Sequence, residues 1–190
     1  VNKAGSEVQA YDASSHFVVI GKTGVGKSSI CNKVFKSNVF KVDHGAPVTK
    51  GFETRKSTDS KLIITDSKGI EVKDDFKPYC ENLTKLIKQQ SISTLIDAIW
   101  IVNDAPTHRV EPFIFDLIDQ FSDKVPCIAI IITKCDMVVN TPCKLEDMIR
   151  LIQEKTSKYK NVKIITHGDA SLEVPTQCHL CKSDHVAFIQ

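Results

Sequence analysis

Along this chain, short continuous runs of apolar residues alternate with segments in which apolar positions recur every three or four residues. The runs within Phe17–Ile20, Phe52–Ser57, Lys61–Thr65, Asp97–Val102, Cys127–Ile132 and Asn161–Thr166 predict strands. Several are apolar throughout, as strands covered on both faces are. Helical spacing appears in Ser28–Phe35 and again in Phe76, Tyr79, Leu83, Leu86 and Ile87, after a cap at Asp74 or Asp75. Glu111–Phe121 carries an apolar stripe of Phe113, Ile114, Leu117, Ile118 and Phe121, with Pro112 in its first turn. Thr141-Pro142 reads as cap and first position of a helix that buries Leu145, Met148, Ile149 and Ile152.

Strands alternating with helices predict an α/β fold of three layers, a mostly parallel six-stranded sheet with helices on both faces. The second and third strands are joined by a polar turn at Thr58-Asp59-Ser60. Residues 17–168 form the expected domain, residues 1–16 an N-terminal extension and residues 169–190 a tail of different character.

Composition narrows the class. A chain of 190 residues, 42% hydrophobic and 25% charged, suits one globular domain with a sizeable core. A net charge of +2, from basic residues that are scattered, gives no nucleic-acid signal. No apolar run approaches the roughly 20 residues of a membrane span, although peripheral association with a membrane is left open. The first sixteen residues show no apolar signal core, and an opening Val is compatible with a fragment. Seven cysteines, an odd number dispersed over a core-bearing domain, point to a reducing, intracellular and cytoplasmic setting, with Cys31, Cys80, Cys127, Cys135 and Cys143 expected as buried thiols.

The strongest chemical signal follows the first strand. Gly21-Lys22-Thr23-Gly24-Val25-Gly26-Lys27-Ser28 fits G-x-x-x-x-G-K-[ST] at every fixed position, between a predicted strand and a predicted helix. Glycines let successive backbone N–H groups converge on phosphate oxygens, and the helix that follows turns its positive end to the same charge. Lys27 would meet the terminal phosphates, the Ser28 hydroxyl would ligate Mg2+, and Ser29 opens the helix beside them. A glycine-rich turn without function is the competing reading.

Two further motifs come in order. Asp66-Ser67-Lys68-Gly69 closes the third strand, where a carboxylate can hold Mg2+ through water and the Gly69 N–H can bond a γ-phosphate. Thr133-Lys134-Cys135-Asp136 follows the fifth strand. The Asp136 carboxylate matches the paired N1–H and N2–H2 donors of guanine, an edge that adenine lacks. The stem of Lys134 can lie along the base while its ammonium braces the phosphate loop. A small-molecule kinase using ATP would share the first motif but leave Asp136 unexplained.

With these motifs in hand, the chain resembles the translation-factor-type class of P-loop GTPases over residues 17 to about 168. In wording it is similar to the Era-like, septin and immunity-associated or chloroplast-import-receptor GTPases more than to Ras-type proteins. The resemblance implies GTP or GDP with Mg2+ as cofactors, and a threonine of the first switch that completes the Mg2+ shell. Thr49 is the choice for that role, ahead of Thr54 and Thr58, and Lys27, Thr49 and Gly69 are the residues it implies for catalysis. A segment after the last strand would contact the guanine O6, which falls here on His167 and Gly168.

Two departures from the family pattern matter. Thr133 replaces the usual Asn, though its hydroxyl can still tie the loop to the phosphate loop. Ile70 follows Gly69 where Ras-type enzymes carry the glutamine that orients water, and neighbouring Glu71 would add negative charge. Slow hydrolysis is therefore expected, accelerated by a homodimer across the nucleotide face or by a protein effector. Lys22, Lys68, His108 and Arg109 are candidate charge donors. An assembly module that binds GTP or GDP without turnover is the alternative.

The tail holds Cys178-His179-Leu180-Cys181. A C-x-x-C turn can present two thiolates to Zn2+, with His167, His179 or His185 as further ligands, and two ordinary reduced cysteines are the competing reading.

Overall fold

The computed structural model describes residues 15–36, 38–40, 51–56, 62–70, 76–90, 95–138 and 140–168. Within them, strands β1 (Ser15–Gly21), β2 (Phe52–Lys56), β3 (Leu62–Ser67), β4 (Ala98–Asp104), β5 (Cys127–Thr133) and β6 (Val162–Thr166) make one sheet in the order β2-β3-β1-β4-β5-β6. Only β2 runs antiparallel, against β3, and all other pairs are parallel. The sheet is the expected one.

Parallel neighbours need crossovers, and helices α1 (Lys27–Phe35), α2 (Phe76–Lys88), α3 (Pro112–Phe121) and α4 (Pro142–Thr156) lie between the strands in the chain. Alternate strand residues then face two separate cores. Val18 and Ile20 of β1, Ile99 and Ile101 of β4, and Ile128 and Ile130 of β5 pack with Leu83, Leu117, Phe121, Met148 and Ile152 from α2, α3 and α4. Val19, Trp100, Val102 and Ile131 point the other way and pack with Ile30 and Cys31 of α1. A period of two along each strand has produced three layers. Burying one such aliphatic side chain contributes about 1.5–3 kcal/mol, so the layers are fixed chiefly by apolar area.

Element ends differ from the apolar runs in an informative way. β3 continues through Asp66 and Ser67, and β4 through Asn103 and Asp104, although these residues are polar. Hydrogen bonding to neighbouring strands carries the backbone past the last apolar residue, and Asn103 and Asp104 pair with Ile132 and Thr133 of β5. Thr141 occupies the N-cap of α4 with Pro142 in its first turn, but no side-chain cap bond forms, and its hydroxyl turns back to the Val138 carbonyl at 3.4 Å.

The cysteine expectation needs correction at two places. Cys31, Cys80 and Cys135 are buried, but Cys127 is half-buried and Cys143 is exposed on the first turn of α4. Burial raises the thiol pKa of Cys31, Cys127 and Cys135, and pushes that of Cys80 up to about 11. Among the described residues no helix is long and apolar enough to cross a membrane.

Candidate nucleotide site

The C-terminal ends of β1, β3, β4 and β5 lie side by side, and the polar residues singled out by the sequence converge there. Gly21 ends β1 against β4, where a Cβ would run into the Val102 carbonyl, so the loop can start only with glycine. Gly24 and Gly26 follow with φ of 80° and 96°, the left-handed conformation that turns backbone N–H groups into a concave nest. Gly26 is the N-cap of α1 and supplies no side chain to its first N–H groups. Those donors remain suited to an anion.

Lys27 is buried at 7% exposure, and its ammonium donates to the Lys22 carbonyl at 2.8 Å. The lysine is thus bent back across its own loop. Ser28 donates its hydroxyl to Asp66 Oδ2 at 2.8 Å, joining α1 to the end of β3. Asp66 is fully buried, and its Oδ1 has no hydrogen-bond partner among the described residues. Burial raises the Asp66 pKa, opposed by the Ser28 hydrogen bond and the Lys27 charge, while the Glu53 charge adds to the rise. A buried, half-satisfied carboxylate beside a serine hydroxyl and a lysine is a donor set that suits a small hard cation. Ser29 is exposed on the first turn of α1.

Gly69 lies hard against the phosphate loop. A Cβ there would come within 2.7 Å of both the Thr23 nitrogen and the Thr23 Cα, so no other residue fits. The next residue is locked as well. Ile70 donates its N–H to the Gly21 carbonyl at 3.1 Å, forms a parallel bridge with Lys22, and buries its side chain in the larger core. The sequence leads one to expect that an isoleucine here leaves water unoriented; the position is in addition a structural tie between the phosphate loop and the segment after β3.

The Thr133–Asp136 loop is fastened to the phosphate loop at two points. The Thr133 hydroxyl donates to the Val25 carbonyl at 2.7 Å, with the Asn103 carbonyl further off at 3.3 Å. Lys134, at φ 56°, extends its ammonium to the Gly24 carbonyl at 2.8 Å and to Asp104 Oδ2 at 3.4 Å. Asp136 follows in the 3-10 turn Cys135–Val138 and is half-buried. His167 N–H donates to the Ile132 carbonyl at 2.7 Å, and Cys135 N–H donates to the His167 carbonyl at 3.1 Å. Gly168 sits so close that a Cβ would stand 2.9 Å from the Asp136 nitrogen. The segment after β6 therefore backs directly onto the turn that carries Asp136.

Other expected residues fall less centrally. Lys22 forms a 2.7 Å ion pair with Glu111, the N-cap of α3, so its charge is already answered. Arg109 faces the same carboxylate at 3.8 Å with its side chain 74% exposed. His108 has φ 52° and a buried Nδ1 without a hydrogen-bond partner among the described residues. Lys68 lines a cavity of about 260 Å3 with Phe52, Tyr79 and Asn82. Thr54 is exposed in β2 and shares a hydrogen bond with Thr65 at 2.9 Å, so it belongs to the sheet. Thr49, Thr58, Glu71, Cys178 and Cys181 lie outside the described residues. Among the described residues no group of three or more His, Cys, Asp or Glu gathers as a metal cluster.

Sequence reasoning missed Asn103, Asp104 and Glu111. Buried Asn103 donates its side-chain amide to the Arg109 carbonyl at 3.0 Å, which fixes the loop that carries Arg109 and Glu111. The signal was present: two polar residues directly after an apolar strand beside β1, where open α/β sheets place their sites.

Fold and loops together define a P-loop GTPase domain. Residues 16–134 match the family model described as 50S ribosome-binding GTPase, and the chain belongs to that family. It is a GTP-binding GTPase domain, and Mg2+ accompanies the nucleotide in the family's fold neighbours. Among solved structures, a dimerization-deficient variant of Toc33 from Arabidopsis thaliana aligns with a TM-score of 0.63 and 16% identity, over 83% of this chain and 72% of that one. Era from Aquifex aeolicus bound to GDP and AlF4- aligns at 0.61 and 18%, over 81% of this chain and 51% of Era. The bacterial selenocysteine-specific elongation factor EF-Sec aligns at 0.55 and 19%, over 82% of this chain and 26% of that one. At such identities the likeness is one of fold. No curated protein matches the chain.

Proposed function

We propose that the chain is a GTP-hydrolysing molecular switch with slow intrinsic turnover, accelerated by dimerisation across the nucleotide face or by a protein effector. The observation that carries the reading is Ile70. Its N–H is bound to Gly21 and its side chain is buried, so the residue after Gly69 offers no polar group to an attacking water. The charge and the water-orienting group must come from elsewhere.

In this reading residues 17–168 are the working domain. Gly21 to Ser29 cradle the phosphates, with Lys27 at the terminal ones. Ser28 and Asp66, with Thr49, hold Mg2+, and the Gly69 N–H meets the γ-phosphate. Asp136 reads the guanine edge, Thr133 and Lys134 hold the base-reading loop in place, and His167 and Gly168 close the base pocket. Mg2+ bound there would neutralise phosphate charge and relieve the orphaned Asp66 oxygen. Zn2+ at Cys178 and Cys181 stays a separate proposal.

Arg109 is the best placed of the candidate charge donors for a second copy. Its side chain is the most exposed of the Lys22, Glu111 and Arg109 group, and it stands at the phosphate-loop rim. Of the fold neighbours Toc33 and psToc159 it has been stated that dimerization is important for their GTPase activity. The test is turnover per molecule against protein concentration. A rise that Arg109→Ala abolishes supports activation by dimerisation, a slow and flat profile leaves activation to an effector, no detectable turnover supports the assembly module, and fast turnover by the monomer contradicts both.

A further inference from the structure

The end of β4 carries a carboxylate that none of the three nucleotide motifs includes. Asp104 lies in a half-buried position, 14% exposed at its side chain, and faces the Lys134 ammonium at 3.4 Å. The same ammonium donates to the Gly24 carbonyl at 2.8 Å. A lysine side chain has four rotatable carbons and no fixed direction of its own. Here its tip is set by two acceptors from different loops, one neutral and one charged. Lys134 also holds φ at 56°, a conformation rare outside glycine, which the surroundings have to sustain.

Asp104 is itself well fixed. Its strand is paired with β5 through Asp104 and Thr133, the residue before Lys134. Its carbonyl accepts the Thr107 hydroxyl at 2.9 Å, which closes the 3-10 turn Ala105–Thr107 over the strand end. The neighbouring Asn103 carbonyl faces the Thr133 hydroxyl. The carboxylate is thus delivered by a rigid strand to a flexible lysine, and not the reverse.

We propose that Asp104 is a positioning residue for guanine binding, acting through Lys134. Its charge holds the ammonium over the phosphate loop and so keeps the lysine stem extended along the face on which the base rests. The inference rests on the base-reading role given above to Lys134 and Asp136. At 3.4 Å the carboxylate acts on the ammonium as a nearby opposite charge that supports its 2.8 Å bond to Gly24, and the arrangement costs little to form because both backbones are already ordered. The phosphate grip does not pass through Asp104, so its loss should be felt by nucleosides and not by free phosphates.

The experiment is a double-mutant cycle on the full chain with Asp104→Asn and Lys134→Met, reading dissociation constants for Mg-GDP and for inorganic pyrophosphate. Thermal unfolding of each variant confirms folding. Asp104→Asn should weaken GDP by about tenfold, the middle of the range for residues in direct contact, and leave pyrophosphate unchanged. In the Lys134→Met background the same change should cost nothing, because the carboxylate then has no cation to hold. Asp104→Glu should recover part of the affinity. Equal losses in both backgrounds, an unchanged GDP affinity, or an equal loss for pyrophosphate would overturn the inference while leaving the base-reading assignment intact. A wild-type chain that binds ADP as tightly as GDP would overturn both.

Discussion

The hydroxyl of Thr133 donates to the carbonyl of Val25 at 2.7 Å, joining the end of β5 to the phosphate loop at the end of β1 across β4. The family's usual residue here is asparagine, and the threonine makes the tie with one short, buried bond. Thr133→Val keeps the shape and removes the donor, which leaves the Val25 carbonyl buried and unpaired. The loss should be about 1–3 kcal/mol in urea unfolding of the nucleotide-free chain. An unchanged midpoint would show that the bond is not what couples the loops.

Ile70 links the phosphate loop to the end of β3 through its backbone and fills the larger core with its side chain. Installing the glutamine that Ras-type enzymes carry should therefore fail as an improvement. Ile70→Gln should destabilise the chain by about 2–4 kcal/mol, through lost packing and a buried amide, without raising turnover. Faster single-turnover GTP hydrolysis in that variant would contradict the assignment.

In its proposed metal role, Asp66 sets binding against stability. Its carboxylate is buried with one oxygen unpartnered, and burial raises its pKa because the charged form is poorly solvated. Asp66→Asn removes the charge while keeping the shape. Without nucleotide, the variant should melt at or above the wild-type temperature, and Mg2+ should no longer tighten GDP binding. A lower melting temperature together with intact Mg2+ dependence would refute the metal role.

Thiol chemistry checks the layer assignment without nucleotide. Cys143 is exposed, whereas Cys31, Cys80 and Cys135 are buried with raised pKa values, Cys80 at about 11. At pH 8 an alkylating reagent should reach exposed Cys143 directly and the three buried sites only as the domain opens. Peptide mapping by mass spectrometry separates them. Native labelling of Cys31 or Cys80 at the rate of Cys143 would mean that the cores are wrongly drawn.

Much of this was legible in the sequence because each signal had one physical cause. Apolar runs gave the strands, since both sheet faces are covered, and in the phosphate loop Gly21 marks a place where backbone meets backbone while Gly24 and Gly26 mark turns of positive φ. Ends were less legible. Asp104 follows an apolar run and looks like a loop residue, but pairing with Thr133 carries the strand through it. Cys143 looks like one more dispersed thiol, yet it stands two residues before Leu145, off the buried stripe of α4, and is turned to solvent. Glu111 looked like an ordinary helix residue, because its partner Lys22 lies far away in sequence and is brought close only by the sheet. Local pattern records what a residue needs from its own element, and long-range pairing decides the rest.

The central claim is that Asp136, seated against Gly168 and beside the tethered Lys134, reads guanine. Its most direct test is the nucleotide selectivity of Asp136→Asn, from dissociation constants for GDP and xanthosine diphosphate with Mg2+. The account predicts that GDP weakens by a hundredfold or more, on the order of 3 kcal/mol, while the xanthosine nucleotide tightens relative to wild type. Equal GDP affinity in the two proteins, with no gain for xanthosine, would contradict it.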